Sequence, residues 1–209
     1  MSIAAAINKK ELTKSVRFQF VGSAFQVALI NSPGTVYSPS TTISSTFLQN
    51  EITAGTAGYQ RQNILYTDSD VQAYTDEGVP LARKGAVFTH DGGTTTYQFT
   101  HVALLRIAQG TGSISGTTLT ISNTTYNGFD AGYTLTGGSI PSGTYISALG
   151  TGVGSNGTYV LNQAVTQAST TITGAEIVSV AALASQAIMS DGNQAVFYYD
   201  LKQFGYYQV

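Results

Sequence analysis

One long stretch of the chain, residues 107–174, is nearly free of charge and rich in glycine and threonine. It holds one charged residue, Asp130, and thirteen of the chain's 23 glycines. Short runs of β-branched and aromatic residues recur between turn-forming residues, which is a pattern of strands. The predicted strands are residues 113–115, 118–121, 133–136, 144–149, 157–161 and 170–173. Six strands with no room for a helix predict a small β-sandwich or barrel.

The segments on either side of this stretch are predicted to pair with each other. Residues 101–107 and 177–182 are apolar strands that break off at the glycine-rich window. If they were joined directly, these two strands would form one hairpin. An insertion at an exposed hairpin tip costs little free energy beyond the entropy of loop closure. We therefore predict an N-terminal arm (1–14), a discontinuous β-body (15–108 plus 175–209) and an inserted Gly/Thr-rich β-module (109–174).

The predicted fold is all-β, with a β-sandwich or barrel-like body and a small inserted β-sandwich. Two consecutive domains are the alternative organisation, but the 35 residues after the module are too few for a core of their own. Within the body, Phe25, Val27 and Leu29 alternate in the manner of a strand, residues 31–45 are a predicted loop, and residues 59–65 resume a strand pattern.

Two turns are predicted in the body. Residues 85–107 read as a hairpin with a type I′ turn at Asp91-Gly92, because both central residues of that turn need positive φ. A second turn is predicted at residues 191–193, and it leads into aromatic strands at 194–201 and 204–209.

Composition restricts the partners. Charged residues are 10% of the chain, against about 25% in ordinary soluble domains. So little charge is typical of surfaces covered by other subunits; the alternative is a surface kept soluble by hydroxyls and amides. The nine basic residues form no stripe, which argues against nucleic acid, and no apolar run approaches the roughly 18 residues of a membrane helix.

The chain's ends and its lack of cysteine add two expectations. Without cysteine, disulfides and thiolate metal sites are excluded. Residues 1–14 place their lysines after a short apolar run, unlike a signal peptide, so we expect an intracellular product. The basic arm is either a solvated tail or a segment that docks on an acidic neighbour.

No constellation for catalysis or metal binding emerges from the sequence. His90 and His101 are several rungs apart in the predicted hairpin, so we expect no metal site there, with His90 flanking a turn and His101 partly buried. A solvated acidic loop is the interpretation of Asp68, Asp70, Asp76 and Glu77, which do not fit a calcium loop. Turn-forming roles are predicted for Asp91, Asp130 and Asp191.

We expect a non-enzymatic protein with no catalytic residue, cofactor or metal. The sequence has no Gly-x-Ser-x-Gly nucleophile elbow, and a glycosidase would need two carboxylates facing each other in a cleft. Among the tyrosines, Tyr133, Tyr145 and Tyr159 lie in strand patterns and are predicted to pack internally. Tyr126 is predicted to lie in a loop and is the candidate surface contact, able to stack on a sugar or fill a partner's pocket.

The module's motifs carry a resemblance to a known type of domain. They run in the order TGSISGTTLTI (111–121), GYTLTG (132–137), IPSGTYI (140–146), GTGVGSNGTYV (150–160) and ASTTIT (168–173). In order and spacing this series resembles a repeat domain common in structural proteins of tailed bacteriophages. The body resembles phage virion proteins through shorter motifs, GYQR (58–61), FTHDGG (88–93) and FTHVAL (99–104).

This resemblance implies a virion structural protein that is made in the host cytoplasm. The role we expect is a capsid cement or decoration protein, a homotrimer that contacts the major capsid protein and braces the shell. The alternatives are a tail fibre or baseplate component, or a carbohydrate-binding module that attaches the particle to a host-surface glycan.

Overall fold

The computed structural model of the protein describes residues 21–31, 44–71, 79–80, 84–199 and 202–203. A short helix, α1 (Ser44–Leu48), and two 3-10 turns (Thr56–Gly58 and Asp68–Asp70) accompany the strands. The strands are β1 (Ala24–Ile30), β2 (Gln62–Leu65), β3 (Val79–Pro80), β4 (Lys84–Thr89), β5 (Tyr97–Tyr126), β6 (Thr134–Thr136), β7 (Ile146–Leu149), β8 (Gly157–Met189), β9 (Gln194–Tyr199) and β10 (Lys202–Gln203). The predicted all-β fold is confirmed. Among the described residues, no helix has the length and apolar character needed to cross a membrane.

A hairpin of two very long strands, β5 and β8, is the central element of the fold. Its antiparallel pairing extends from Tyr97 opposite Met189 to Ile121 opposite Gly157. β1 pairs with the other edge of β5 and β2 pairs with β1, while β6 and β7 both pair with β8. The predicted pairing of residues 101–107 with residues 177–182 is confirmed by this register, in which His101 lies opposite Ala182.

The prediction that these two strands break off at the glycine-rich window is wrong. Both continue without interruption into the window, so the predicted strands 113–115 and 118–121 are parts of β5, and 157–161 and 170–173 are parts of β8. The remaining two predicted strands contain β6 and β7. The division of the chain into body and module stays a prediction.

Inside the module the β5–β8 ribbon folds back on itself. Between Gly116 and Thr118 one residue of β5 lies opposite four of β8, and such a bulge bends the strands. Beyond it the two arms of β5 lie against each other, and Ser122 Oγ donates a hydrogen bond to the Thr111 carbonyl at 3.1 Å. The fold-back buries a core that includes Ile114, Leu119, Ile121, Phe129, Tyr159, Leu161 and Ile172.

The body has a sandwich-like core between the sheet that contains β2, β1, β5 and β8 and the β4–β9 pair. The alternation of Phe25, Val27 and Leu29 is confirmed, since all three are buried in this core. From the other side, Phe197 of β9 packs edge-on against Phe99 of β5, with 5.7 Å between ring centroids. Apolar residues at every second strand position therefore supply both faces of the core.

The predicted hairpin at residues 85–107 is wrong. β4 pairs with β9, with Val87 opposite Val196, whereas β5 pairs with β1 and β8. A type I′ turn requires positive φ at both central residues, and of Asp91 and Gly92 the glycine alone has it, with φ of 82°. The His90 ring holds the segment in another shape: Nδ1 accepts from the Gly92 amide at 3.0 Å, and Nε2 bonds the Thr95 carbonyl at 2.7 Å.

The backbone conditions of the type I′ turn are met elsewhere. Asp191 and Gly192 have φ of 48° and 73°, and the Asn193 amide donates to the Ser190 carbonyl at 2.9 Å. The predicted turn at residues 191–193 is thus confirmed, and it carries the chain from β8 to β9. The predicted arm at 1–14, most of the predicted loop at 31–45 and the predicted strand at 204–209 lie outside the described residues.

Candidate functional site

The few charges of the central sequence meet at one place. Between His101 and Ser190 the chain carries three residues with formal charge, namely Arg106, Asp130 and Glu176. Arg106 on β5 and Glu176 on β8 are direct cross-strand partners. All three act electrostatically on the side chain of Tyr133. Because charged residues are so rare in this part of the chain, their clustering at one place makes that place a candidate site.

A cleft of about 510 Å³ opens beside these residues, where the module meets β1 and the middle of β5. This volume lies within the range of about 300–1,000 Å³ that is usual for small-molecule sites. Its lining includes Arg106, Asn127, Phe129, Asp130, Tyr133 and Val153. We call it the junction cleft.

The wall at the end of β5 is fixed by Asn127. This residue has a φ of 41°, which turns the chain out of the strand, and asparagine tolerates this region better than most residues. Its Nδ2 donates to the Ile107 carbonyl at 2.7 Å, so the chain leaving the strand is tied to an earlier part of β5. Phe129 and Tyr133 follow, both buried against Gly174, where a Cβ atom would lie 3.0–3.2 Å from their rings.

The opposite rim is the loop of residues 150–156, which projects Val153 into solvent. Val153 is 79% exposed, although the loop around it is held firmly. Asn156 Oδ1 accepts from the Thr124 amide at 2.8 Å, the Thr158 carbonyl accepts from the Gly152 amide at 3.1 Å, and the Tyr159 hydroxyl bonds the Ser155 carbonyl. Gly154 lies in backbone contact with Gly128, where any side chain on Gly128 would clash.

The buried part of the charge cluster is centred on Tyr133, whose side chain interacts with both Arg106 and Glu176. Burial, reinforced by the charge of Glu176, raises the pKa of Tyr133 to about 12, although Arg106 opposes the shift. Burial also raises the pKa of Glu176 above its usual range, against the favourable effect of Arg106.

Asp130 is the carboxylate that faces the junction cleft. It is exposed and lines the cleft, and its Oδ1 accepts from the Ala131 amide at 2.7 Å. Glu176 is half-buried and is not among the described lining residues. The described lining therefore presents one carboxylate to the cleft, which is short of the facing pair that acid–base hydrolysis of a glycoside requires.

The structure places the candidate contact Tyr126 beside this site but outside its lining. Tyr126 is 51% exposed. It is the last residue of β5, so its predicted loop position is wrong. The predicted burial of Tyr133 and Tyr159 is confirmed, and Tyr145 is partly buried.

The two histidines occupy separate parts of the fold. His90 is buried at the turn that follows β4, and His101 is half-buried on β5 with its ring edge-on to Phe47 at 5.7 Å. Burial lowers the pKa of His101. In the described part of the chain, no group of three or more His, Cys, Asp or Glu residues is arranged to hold a metal ion.

The interpretation of the acidic segment as a solvated loop is wrong for Asp70. Its side chain is buried and forms an ion pair with Lys84 at 2.8 Å. The same carboxylate accepts from the Thr67 amide at 2.7 Å and completes a capping box around the 3-10 turn. Asp76 and Glu77 lie outside the described residues.

The turn-forming aspartates behave as predicted. Asp91 Oδ1 accepts from the Gly93 amide at 2.9 Å, Asp130 caps its own turn, and Asp191 lies in the type I′ turn.

Comparisons with protein-family models, with curated proteins and with solved structures give no match. Sequence reasoning did not identify Arg106 and Glu176 as site residues. The signal that could have found them is their isolation, because a lone charge in a long uncharged strand needs a partner.

Proposed function

We propose that the protein is a non-enzymatic structural component of a tailed-phage particle, and that it is a capsid cement or decoration protein. The observation that carries the proposal is the β5–β8 pairing, which keeps one register from Leu105 opposite Ile177 to Gly112 opposite Thr170. This stretch joins the nearly uncharged module to the body through paired strands rather than a flexible linker. A rigid, two-part β-unit is suited to bracing a shell or projecting a module from it.

Three further features support a role in assembly. Such low charge is typical of interface cores, and the motif series at residues 111–173 resembles that of phage structural proteins. On the outer face of the β4–β9 pair, the cross-strand partners Val87 and Val196 are 41% and 42% exposed. We propose that this face contacts another virion subunit, in a homotrimer or against the major capsid protein.

The number of copies per particle tests the proposed role. Quantitative gel densitometry of purified virions, calibrated against the major capsid protein, should give hundreds of copies for a decoration protein. A count from a few to a few dozen would indicate a tail, fibre or baseplate component instead. Absence from purified particles would remove the virion proposal altogether.

The proposed contact face has a matched pair of variants. Val87→Lys places a charge on the outer face of β4. Leu65→Lys places a charge at another exposed apolar strand position, on β2, where Leu65 is 60% exposed. Val87→Lys should lower occupancy on particles at least about tenfold, as expected for an uncompensated charge in an interface, while Leu65→Lys should not. Equal occupancy of both variants would contradict the assignment of this face.

A further inference from the structure

The junction cleft has a composition that the assembly role does not require. A stable β-module needs no charge at its edge, yet Asp130, the module's one charged residue, lies in the lining beside Arg106. Arg106 is held on the other side by Tyr133 and stacks over the Phe25 ring at 5.9 Å. The cluster is thus anchored from within, and the exposed Asp130 carboxylate is left at the cleft surface.

The charges restrict the chemical class of a ligand. Two carboxylates and one guanidinium lie in or directly behind the cleft, so its formal balance is one negative charge. An anionic ligand would be repelled by this excess negative charge. A cationic ligand would be repelled by Arg106, next to which it would have to bind. A neutral ligand with several hydroxyl groups avoids both penalties, because each hydroxyl donates to a carboxylate and accepts from N–H groups.

The shape and the apolar surface of the cleft agree with the same class. The volume of about 510 Å³ is that of a small-molecule site rather than of a single water. Val153 offers an exposed apolar surface at the rim, and the lining residue Gly154, where a Cβ atom would meet nothing within 4 Å, lets the C–H face of a ring approach the backbone. The rim loop is already held by its hydrogen bonds to Thr124 and Thr158. Ligand binding would therefore cost little conformational entropy in this loop.

From this arrangement we infer that the junction cleft is a binding site for a neutral saccharide of one or two rings. Asp130 accepts from vicinal ring hydroxyls, Arg106 supplies N–H groups to the ring oxygens, and Val153 contacts the apolar face. The site is distinct from the β4–β9 face, so saccharide binding and particle assembly can succeed or fail independently.

Amide chemical-shift titration of the full-length, isotope-labelled protein tests the inference. The probes are glucose, galactose, mannose, N-acetylglucosamine and their β-linked disaccharides, with glucuronic acid and N-acetylneuraminic acid as anionic probes. At least one neutral saccharide should give saturable shifts at millimolar concentration, centred on Gly128, Asp130, Tyr133 and Gly154. No saturable shift with any neutral probe, or tighter binding of the acidic sugars, would overturn the inference.

Three variants locate the site. Asp130→Asn should weaken binding about tenfold or more, because a hydrogen bond to a charged acceptor is lost. Asp191→Asn, at another exposed turn aspartate, is the matched control and should bind like the parent protein. Tyr126→Ala should also bind normally. If Tyr126→Ala abolishes binding and Asp130→Asn does not, the sugar stacks at the end of β5 and the assignment to the cleft is wrong.

Discussion

At Gly112 the folded ribbon comes closer to itself than a side chain allows. A Cβ atom there would lie 2.6 Å from the Thr120 carbonyl oxygen and 2.8 Å from the end of Ile121. Because the first contact is with backbone, it cannot be relieved by a change of rotamer. We expect Gly112→Ala to lower the free energy of unfolding by about 1–3 kcal/mol, the usual cost of overpacking.

Urea unfolding followed by fluorescence or circular dichroism measures this effect. The matched control is Gly93→Ala, whose Cβ would approach the exposed Asp91 side chain alone, with Oδ1 at 3.1 Å. That variant should change stability by less than about 0.5 kcal/mol. Equal stability of the two variants would mean that the two arms of β5 do not pack as described.

The buried Asp70 carboxylate predicts a pH-dependent contribution to stability. Hydrogen bonding from Lys84 and from the Thr67 backbone amide lowers its pKa from 3.8 to about 2. A group whose pKa is depressed by folding stabilises the protein above its unfolded pKa, and this contribution is lost as the pH falls from about 4 towards 2.

Asp70→Asn should therefore cost about 1–2 kcal/mol at neutral pH and progressively less below pH 4. Denaturant unfolding of parent and variant at pH 7, 4 and 2.5 gives the comparison. Asp191→Asn serves as the control, since Asp191 is exposed in a turn where asparagine is also suited. A cost that persists unchanged at pH 2.5 would show that shape rather than charge is what Asp70 contributes.

At the scale of single residues, sequence predicts what local chemistry decides. Alternation identified Phe25, Val27 and Leu29 as core, because one face of a strand must be buried. The same dipeptide, Asp-Gly, occurs at 91–92 and 191–192, yet only the second adopts the type I′ conformation. The difference lies in the hydrogen bonds of the His90 ring to Gly92 and Thr95, which no local pattern reveals.

At the scale of elements, the module can be excised at a defined pair. Ala108 lies opposite Gly174, so replacing residues 109–173 by Asn-Gly joins these two positions through a two-residue hairpin. If body and module are separate folding units, this variant should fold, with cooperative unfolding and the amide shifts of β1 and β4 retained. The expected result would support the predicted division of the chain.

A register control makes the excision experiment specific. Removing Ala108 as well would place Ile107 opposite Gly174 instead of Ala175, a shift of one residue. Such a shift moves side chains to the opposite face of the sheet, so this variant should be aggregated or unfolded. Failure of both variants to fold would show that the body depends on the module, against the predicted domain organisation.

The existence of most strands was predictable, whereas their extent and pairing were less so. The hairpin of residues 101–107 with 177–182 could be inferred because both strands are apolar and flank one insertion. The pairing of β4 with β9 joins segments more than a hundred residues apart, and Phe197 of β9 packs against both Phe88 and Phe99. Contacts of that range are outside the reach of periodicity.

At the scale of the whole molecule, charge is distributed in two distinct ways. The central part of the chain gathers its three charges around Tyr133, which lines the junction cleft, while four of the nine basic residues lie in the first 17 residues. The sequence shows both facts, but the first becomes meaningful once the fold brings Arg106, Asp130 and Glu176 to Tyr133. Composition can thus predict that a surface is uncharged without locating the site where charge is retained.

This distribution predicts how association should respond to salt. Contacts through the β4–β9 face around Val87 and Val196 are apolar, and screening by salt acts on charges. We expect the affinity of the purified protein for particles lacking it, or for its own copies, to change less than about twofold between 50 and 500 mM NaCl. Sedimentation of bound protein with the particles measures this affinity.

An affinity that falls tenfold or more over that range would instead assign the contact to the basic N-terminal residues docked on an acidic neighbour. Removal of residues 1–14 separates the two, because it should abolish the salt-dependent contact and leave the apolar one intact.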